Sequence, residues 1–510
     1  MWERAGVANA AILLAVVASV VQAQGVQINF ETYKEVEYAG YDGWYNNRAH
    51  PEWGIADSPL TRRLPSHYQD GTYEPSGWDR PNPRTLSELT MKGMTGMGSF
   101  RNRSALLTFF GQQVVEEILD AQRPGCPREY FNIQIPKGDP EYDPDGRGGR
   151  EIPLLRSRYD MSITGFSPNF PRQQLNEITA FLDGGLMYGV TKAWADALRL
   201  LSSESGKRGR LASCFDQGVA GCVADVAGSY PAYNTIGLPM ANPPPPRDHY
   251  LKPSQRFFKL GNPRGNENAF LLTFGVLWFR WHNYLADMIA AKQPDWSDER
   301  VFNEARKWVI ATHQKIVLYD WLPDFLGENR KPEVYKGYSS AVHPGVTHVF
   351  QSAAMRWGHT IVPPGVYRRS RVKQDGTCDW RNTTIFTSPH TKGQYFHGVR
   401  TCNSYWNSVD PHEEGFEGKV KDLEKFDGVE EFLLGLSSQV TEREDNIITE
   451  DLRGRVFGPL EFSRRDLMAI NIQRGRDHGL PDYNTARVEY GLPRRETFAD
   501  INPWLFNGTY

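Results

Sequence analysis

The sequence predicts a mainly α protein, and its length allows either one large domain or several compact ones. Apolar residues recur at three-to-four spacing along several long segments, which is the period of one helix face. Strand-like alternation is sparse and short. Across the 510 residues, no internal repeat and no break in composition marks a linker between two domains. With 39% hydrophobic and 23% charged residues, the chain has ample material for a core and is not a disordered protein.

Three segments carry the helix prediction. Residues 106–120 place their apolar side chains largely on one face, and residues 268–291 are apolar over most of their length. Ser297 is a suitable N-cap for a third helix, which we expect to end before Pro323. These helices would supply most of the core.

Two long loops interrupt the helical pattern. The four consecutive prolines at positions 243–246 predict an extended surface loop. The stretch from Ser370 to Val420 is polar, with scattered glycine, threonine and asparagine, and predicts a long irregular excursion.

Residues 1–23 have the features of a secretory signal peptide. A basic residue near the start precedes an apolar run at positions 10–21, and a small-x-small cleavage site precedes Gln24. The run is shorter than the ~20 residues that span a bilayer, which argues against a membrane anchor. We therefore expect residues 24–510 to form a secreted domain. If the chain is a fragment, the rest of the protein could hold membrane spans and keep this domain at the extracellular face of the plasma membrane.

Five cysteines in an extracellular chain are expected to pair where they can. The simplest assignment is two local bridges, Cys214 with Cys222 and Cys378 with Cys402. Cys126 is left over, which suggests a bond to another chain or to a part of the protein outside this sequence. A free thiol or a different pairing remains the alternative, because sequence does not determine connectivity.

Three N-x-S/T sequons agree with an extracellular address. Each tripeptide is common by chance, so each is a weak signal alone. The acceptor residues are Asn102, Asn382 and Asn507.

Charge and motifs exclude several classes of function. The chain has 58 basic and 61 acidic residues and a net charge of -3, so nothing global favours a nucleic-acid partner. No H-E-x-x-H or C-x-x-C supports zinc. No G-x-S-x-G and no phosphate-binding glycine loop supports a serine hydrolase or a nucleotide enzyme.

Separated polar clusters could instead surround a flat cofactor such as haem. Haem iron needs one axial donor, commonly a neutral imidazole, and His359 is such a donor. Arg264 and Glu267 could stabilise charge on a ligand, although both residue types are also ordinary near a helix start. The clusters are Phe110–Glu117, Gly261–Glu267 and Arg356–Thr360.

A twelve-residue segment, Gln473–Asn484, resembles the Q-R-x-R-D-H-G-L-P-x-Y-N signature of the animal haem peroxidases. Residues 264–267 are similar to the distal arginine segment of that family, and residues 280–283 to the R-x-H-N that follows. Residues 356–360 resemble the proximal histidine segment, and residues 179–189 resemble the calcium loop. The resemblance implies a large, mainly helical single domain, which agrees with the helix prediction.

Within the family, the chain is most similar to the extracellular peroxidase-like domain of dual oxidases. The likeness runs from Tyr41 to Pro503, nearly the whole mature chain. It is carried by Tyr41–Asn47, Pro124–Pro127, Ser437–Asn446 and Asp500–Pro503.

The resemblance implies a role for each matching site residue. His359 would be the proximal axial ligand of haem b, and Asn446 its hydrogen-bond partner. Arg264 matches the distal arginine, Gln112 the distal glutamine, and Glu267 the glutamate that forms an ester with haem.

The distal helix departs from the family pattern. Val115, Glu116 and Glu117 stand where the family has D-H-D. The distal histidine is therefore replaced by Glu116, and one ester-forming carboxylate is lost at Val115, so at most the link through Glu267 survives. Glu116 could move a proton on peroxide in place of the histidine.

The same resemblance implies a calcium site. Glu117 would replace the family aspartate, and Thr179, Phe181 and Asp183 would supply the other ligands. Gly185 stands where the family has a serine and can offer only backbone.

The implied function is that of a haem peroxidase, with hydrogen peroxide and a small, phenolic or tyrosyl reducing substrate. The implied partner is the membrane oxidase portion of a dual oxidase, or a maturation partner bound through Cys126. The alternative is a non-catalytic module of the same fold that serves assembly, which the changes at Val115 and Glu116 favour.

Overall fold

The computed structural model describes most of the chain between Tyr38 and Pro503. The described ranges are 38–217, 228–234, 257–327, 334–367, 385–387, 395–404, 428–456 and 465–503. Several predicted features lie outside them: the signal peptide at 1–23, the proline run at 243–246, Cys222, Cys378, Asn382 and Asn507. Nothing structural tests those predictions.

The described residues are mainly helical, as the sequence predicts. The α-helices are α1 (Pro83–Thr90), α2 (Ala105–Ile118), α3 (Gly185–Tyr188), α4 (Lys192–Leu198), α5 (Ala269–Lys292), α6 (Asp298–Ile316), α7 (Leu322–Leu326), α8 (His348–Ser352), α9 (Thr401–Ser404), α10 (Gly428–Ser438), α11 (Glu450–Arg453), α12 (Leu467–Asp477), α13 (Tyr483–Glu489) and α14 (Phe498–Ile501). Two 3-10 helices, Pro263–Asn266 and Ala354–His359, and a π-helical turn, Val317–Trp321, accompany them. Among the described helices, none is both long and apolar enough to cross a bilayer.

The strands are short. They are β1 (Ser58–Pro59), β2 (Ile133–Gln134), β3 (Glu151–Ile152), β4 (Leu175–Asn176), β5 (Gly365–Tyr367), β6 (Ile385–Thr387) and β7 (Tyr395–Arg400). All the described pairs are antiparallel: β1 with β4, β2 with β3, and a three-stranded sheet in the order β5, β7, β6.

Helices α2 and α5 pack together at the centre of the main apolar core. The ring of Phe109 lies 4.7 Å from that of Phe270, and Phe110 meets Phe274 edge-on at 5.5 Å. Such aromatic pairs add stabilisation beyond the area they bury. Both helices begin and end close to the predicted bounds, because their apolar faces extend over the whole of each helix.

The third predicted helix ends earlier than expected. Ser297 caps α6 by accepting a hydrogen bond from Arg300 N at 3.3 Å, as predicted. The α-helix then stops at Ile316 and passes through the π-helical turn into α7. Pro323 does not end the helix but lies in the first turn of α7, where the missing N–H of proline costs little.

The polar stretch from Ser370 to Val420 is not wholly irregular. It contains β6 and β7, which pair with each other, and β7 also pairs with β5. The pattern concealed these strands because their stabilisation comes from cross-strand partners that are distant in sequence.

The R-x-H-N segment on α5 has a structural role. Asn283 accepts a hydrogen bond from Leu211 N at 2.8 Å and donates one to Leu211 O at 3.2 Å. His282 lies between Tyr188 Oη at 2.8 Å and Gly209 O at 2.9 Å. Because a carbonyl can only accept, Nε2 of His282 carries the proton, and Tyr188 donates to Nδ1.

The twelve-residue signature segment also organises the fold. Asp477 accepts hydrogen bonds from Arg156 Nε at 2.7 Å, Ser157 N at 2.9 Å and Arg474 Nη1 at 2.9 Å. His478 contacts Ser157 Oγ at 2.9 Å. All of these groups are buried, so the segment stabilises the fold through a buried hydrogen-bond network centred on Asp477.

Candidate functional site

The C-terminal half of α2 faces a half-buried arginine. Asn262 accepts a hydrogen bond from Arg264 N at 3.0 Å and starts the 3-10 helix that presents this side chain. Arg264 Nη1 forms an ion pair with Glu116, and Nη2 donates to Leu119 O at 3.0 Å. Arg264 Nε lies 3.3 Å from Asp120 Oδ2. Arg264 and Glu116, both predicted as distal site residues, are thus in contact, and Asp120 is a third member that the sequence did not reveal.

Burial controls the protonation of Glu116. Desolvation raises its pKa to about 7, although the positive charge of Arg264 acts in the opposite direction. The nearby Asp120 carboxylate raises the pKa further. Near neutral pH, Glu116 is therefore divided between its protonated and ionised forms.

Glu267 is held by one amide side chain, which a second amide orients. Gln112 Nε2 donates to Glu267 Oε2 at 2.7 Å, and Gln112 Oε1 accepts from Asn268 Nδ2 at 3.0 Å. Burial, followed by the charge of Glu116, raises the pKa of Glu267 to about 8. Gln112 and Glu267, predicted as site residues from separate segments, are thus in direct contact.

His359 ends the 3-10 helix that packs against α2. Burial and the charge of Arg356 lower its pKa to about 3, so the imidazole is neutral and has a free lone pair. Its Nδ1 atom is buried and has no hydrogen-bond partner among the described residues. A neutral imidazole is what an axial iron ligand requires.

The structure does not pair Asn446 with His359, contrary to expectation. Asn446 is exposed, and its amide donates to Thr90 O instead. Thr360, the residue after His359, fastens the neighbouring loop by donating to Arg443 O at 3.1 Å. This loop turns the Asn446 side chain outward, a consequence of backbone geometry that the sequence pattern does not contain.

Arg356 is a site residue to which the sequence assigned no role. It shares the 3-10 helix of His359, and the carboxylates of Glu116 and Glu267 act on its charge. Burial and the nearby Arg474 lower its pKa to about 10, and its Nε has no partner in the described ranges. In the sequence, its position three residues before His359 was the only indication that Arg356 belongs to the site.

These side chains form one connected group, because Gln112 bonds Glu267, the charges of Glu116 and Glu267 act on Arg356, and the charge of Arg356 acts on His359. Gln112, Arg264, Glu267, Arg356 and His359 lie deep in the fold, yet each keeps some accessible surface. The neutral imidazole of His359 suits the iron of haem, and the incompletely paired guanidinium of Arg356 suits a propionate group. The residues present therefore fit this cofactor.

A second cluster joins α2 to the loop before α3. Thr179 Oγ1 donates to Asp183 Oδ2 at 2.7 Å, and Glu117 Oε2 accepts from Leu186 N at 3.3 Å. A Cβ on Gly185 would lie 3.5 Å from Asp183 Oδ1 and 3.7 Å from Glu117 Oε2. Both carboxylates therefore lie next to this glycine.

The electrostatics of this cluster fit a cation. Burial raises the pKa of Glu117 to about 8, with Asp183 as the second cause, and burial raises the pKa of Asp183 to about 6. Asp183 Oδ1 is buried without a hydrogen-bond partner within the described part of the chain. No set of three or more His, Cys, Asp or Glu side chains is arranged for a metal in those ranges. A site here would therefore need hydroxyl and carbonyl oxygens as well, which Ca²⁺ accepts. The half-buried Phe181 lies between Thr179 and Asp183 in the sequence.

The cysteines and the sequons are placed in part. Cys214 is disulfide-bonded, while its expected partner Cys222 lies outside the described ranges. Of Cys402, only the backbone in α9 is described. Cys126 is exposed and free. Asn102 is exposed, with a positive φ of 54°.

Comparison with known proteins gives consistent results. The animal haem peroxidase family model matches residues 38–509. Dual oxidase of Drosophila melanogaster is 44% identical over 496 residues, covering 97% of this chain and 29% of that protein. Dual oxidase 1 of Homo sapiens is 40% identical over 470 residues, covering 92% of this chain and 28% of that protein. The chain thus spans less than a third of the length of these curated relatives.

Solved structures agree with this family. Peroxidase A of Dictyostelium discoideum superposes with a TM-score of 0.74 at 27% identity, covering 92% of this chain and 81% of that one. A fatty acid alpha-dioxygenase of Arabidopsis thaliana, at 15% identity and a TM-score of 0.62, shares the fold. The family model and the dual oxidase relatives show that the chain belongs to the animal haem peroxidase family.

Proposed function

We propose that this chain is the peroxidase module of a dual oxidase, and that it uses hydrogen peroxide to oxidise small, phenolic or tyrosyl substrates. The observation that carries the proposal is the ion pair of Arg264 with Glu116 on α2, the helix against which the 3-10 helix of His359 packs. A polar, buried distal side opposite a neutral imidazole is the arrangement that peroxide chemistry needs.

Three residues would hold haem b. His359 offers a neutral imidazole to the iron, Arg356 offers a buried guanidinium to a propionate, and Glu267 is the carboxylate available for an ester. When bound, haem would supply the redox-active iron for the reduction of peroxide.

The distal residues would handle protons and charge. Glu116 can accept a proton from one peroxide oxygen and return it to the other, because a carboxylate acts as base and then as acid. Arg264 would stabilise negative charge as it develops on the leaving oxygen. Its bonds to Leu119 O and Asp120 keep the guanidinium oriented towards Glu116.

The second cluster would bind calcium. Glu117, Asp183 and the Thr179 hydroxyl supply oxygen donors, and the Phe181 carbonyl would complete them. A divalent cation would neutralise two buried carboxylates that otherwise repel each other.

One observation favours the alternative, a non-catalytic assembly module. The guanidinium of Arg264 is already engaged by Glu116, Leu119 and Asp120, so it would have to exchange partners before it met a substrate. The exposed thiol of Cys126 would suit a covalent link to a partner or to the membrane oxidase portion. Under either proposal the domain lies outside the cell, with Asn102 open to glycosylation.

An absorption spectrum of the secreted chain, expressed with haem supplied, tests these proposals together with guaiacol turnover. A Soret band with turnover supports the peroxidase, and a band without turnover supports the assembly module. His359→Ala should abolish the Soret band. His67→Ala, which changes an exposed histidine, should leave it intact. A folded wild-type protein with no Soret band would refute the haem assignment.

A further inference from the structure

The segment from Tyr41 to Gly54, which contains one of the motifs shared with dual oxidases, packs directly on the proposed cation loop. A Cβ on Gly43 would lie 3.2 Å from Thr179 Cγ2. Gly54 O accepts a hydrogen bond of 2.9 Å from Ala180 N. The proposed catalytic side chains do not use this contact.

Gly54 also packs against the second half of the loop. It has a φ of +78°, and a Cβ there would lie 3.0 Å from Phe181 Cε2 and 2.7 Å from Pro344 Cγ. Because a trans peptide holds C=O opposite N–H, the bond from Ala180 to Gly54 also fixes the direction of the Thr179 carbonyl. The segment thus sets the backbone of Thr179 and the position of Phe181.

Arg306 connects the start of the segment to the same site. It donates to Ala39 O at 2.7 Å and to Gly40 O at 3.3 Å, and its guanidinium lies 4.2 Å from the Tyr41 ring centroid. The charge of Arg306 also acts on Asp183, where it lowers the pKa against the effect of burial. Both ends of the segment are therefore coupled to residues of the cation loop.

The outer side of the segment is a surface of aromatic residues. Trp53 lies between His50, stacked at 3.7 Å, and His343, at 4.5 Å. Trp44 and Tyr45 are exposed, with 44% and 71% of their surface accessible. A change in the docking of the segment would therefore alter the exterior of the protein.

We propose that residues 41–54 are a positioning segment for the cation site, so that calcium binding and docking of this segment stabilise each other. The inference rests on the proposed calcium site and is independent of haem. Coupling between two sites is reciprocal, so the effect can be measured from either side.

The first experiment is hydrogen exchange on the full chain, with calcium and with a chelator. The informative amides are Tyr45 N, bonded to Pro51 O, and Ala56 N, bonded to Asp42 O, because both acceptors belong to the segment and both amides lie outside the cation loop in sequence. We expect both amides to exchange about tenfold faster without calcium. Tryptophan fluorescence is less specific, because the chain contains 14 tryptophans.

The second experiment measures calcium affinity by titration calorimetry in Gly54→Ala. The added methyl group displaces the segment while every proposed ligand stays, so we expect affinity about tenfold weaker and a smaller rise in melting temperature on calcium addition. Gly138→Ala is the matched control: its φ is +80°, but a Cβ there meets nothing within 4 Å. It should bind calcium as the wild type does.

Two results would overturn the inference. Unchanged exchange at Tyr45 and Ala56, with wild-type affinity in Gly54→Ala, would remove the coupling but leave the calcium site. A wild-type chain that binds no calcium would remove both, and the Soret measurement would be unaffected.

Discussion

The side-chain amide of Gln112 donates a hydrogen bond of 2.7 Å to the carboxylate of Glu267, which joins α2 to the end of the 3-10 helix Pro263–Asn266. This bond favours the ionised carboxylate against the effect of burial. It also orients the carboxylate that we propose for an ester with haem.

Removal of the Gln112 amide should reduce covalent attachment. We expect Gln112→Leu to retain less haem after acid-acetone extraction than the wild type, because Glu267 loses both its orientation and a donor to its ionised form. Glu267→Gln should retain none. Equal retention in wild type and Gln112→Leu would show that the hydrogen bond has no part in the attachment.

Replacement of Glu116 should affect the chemistry more than haem binding. Glu116→Gln keeps the size of the side chain but cannot act as a base, so kcat/KM for hydrogen peroxide should fall by about 10²-fold or more. The Soret band should keep its wild-type intensity to within roughly a few per cent, because glutamine has the size and shape of glutamate and should not disturb the packing. Wild-type turnover in this variant would remove the proton-transfer role of Glu116.

Calcium removal should destabilise the wild type and not Asp183→Asn. The chelated wild type holds two buried carboxylates near each other, whereas the amide removes one of the charges. We therefore expect Asp183→Asn to melt at or above the wild type in chelator, and below it in calcium, where binding stabilises only the native wild type. Asp145→Asn, at an exposed acid, should follow the wild type in both buffers. Parallel calcium responses in all three proteins would contradict the site.

His282 should contribute to acid unfolding. Burial lowers its pKa to about 3, below the unfolded value of 6.5. A depressed histidine pKa means that the unfolded state binds more protons between these values, so stability is present above pH 6.5 and is lost as the pH falls towards 3. Denaturant titrations between pH 6 and pH 4 should show wild-type stability falling by about 1.4 kcal/mol per pH unit more steeply than that of His282→Gln. Curves of equal slope would show that His282 titrates normally.

The Asp477 carboxylate should be essential for stability. Asp477→Asn leaves the buried guanidinium groups of Arg156 and Arg474 without their shared counter-charge. Loss of one partner of a buried ion pair costs about 3–5 kcal/mol, measurable by chemical denaturation. Asp145→Asn again serves as the exposed control, and a similar loss in both variants would exclude a special role for the network.

The sequence predicted the large helices because their signals are local. Apolar periodicity marked α2 and α5, and Ser297 marked the start of α6 by its capping chemistry. The same reasoning failed at Pro323, because a π-helical turn ends α6 early and lets the proline fall in the first turn of the next helix. It also missed β6 and β7, whose hydrogen-bond partners lie on strands brought together by the fold.

Residue types alone determined the family and predicted the axial candidate His359, the distal arginine Arg264 and the replacement of the distal histidine by Glu116, because motifs record which side chains are present and in what order. Only the tertiary structure decided how these groups affect one another. It brought Asp120 and Arg356 to the site, turned Asn446 away from His359, and laid Gly43 and Gly54 against the cation loop. Protonation and positioning depend on burial and on contacts between residues hundreds of positions apart, and these arise only when the chain has folded.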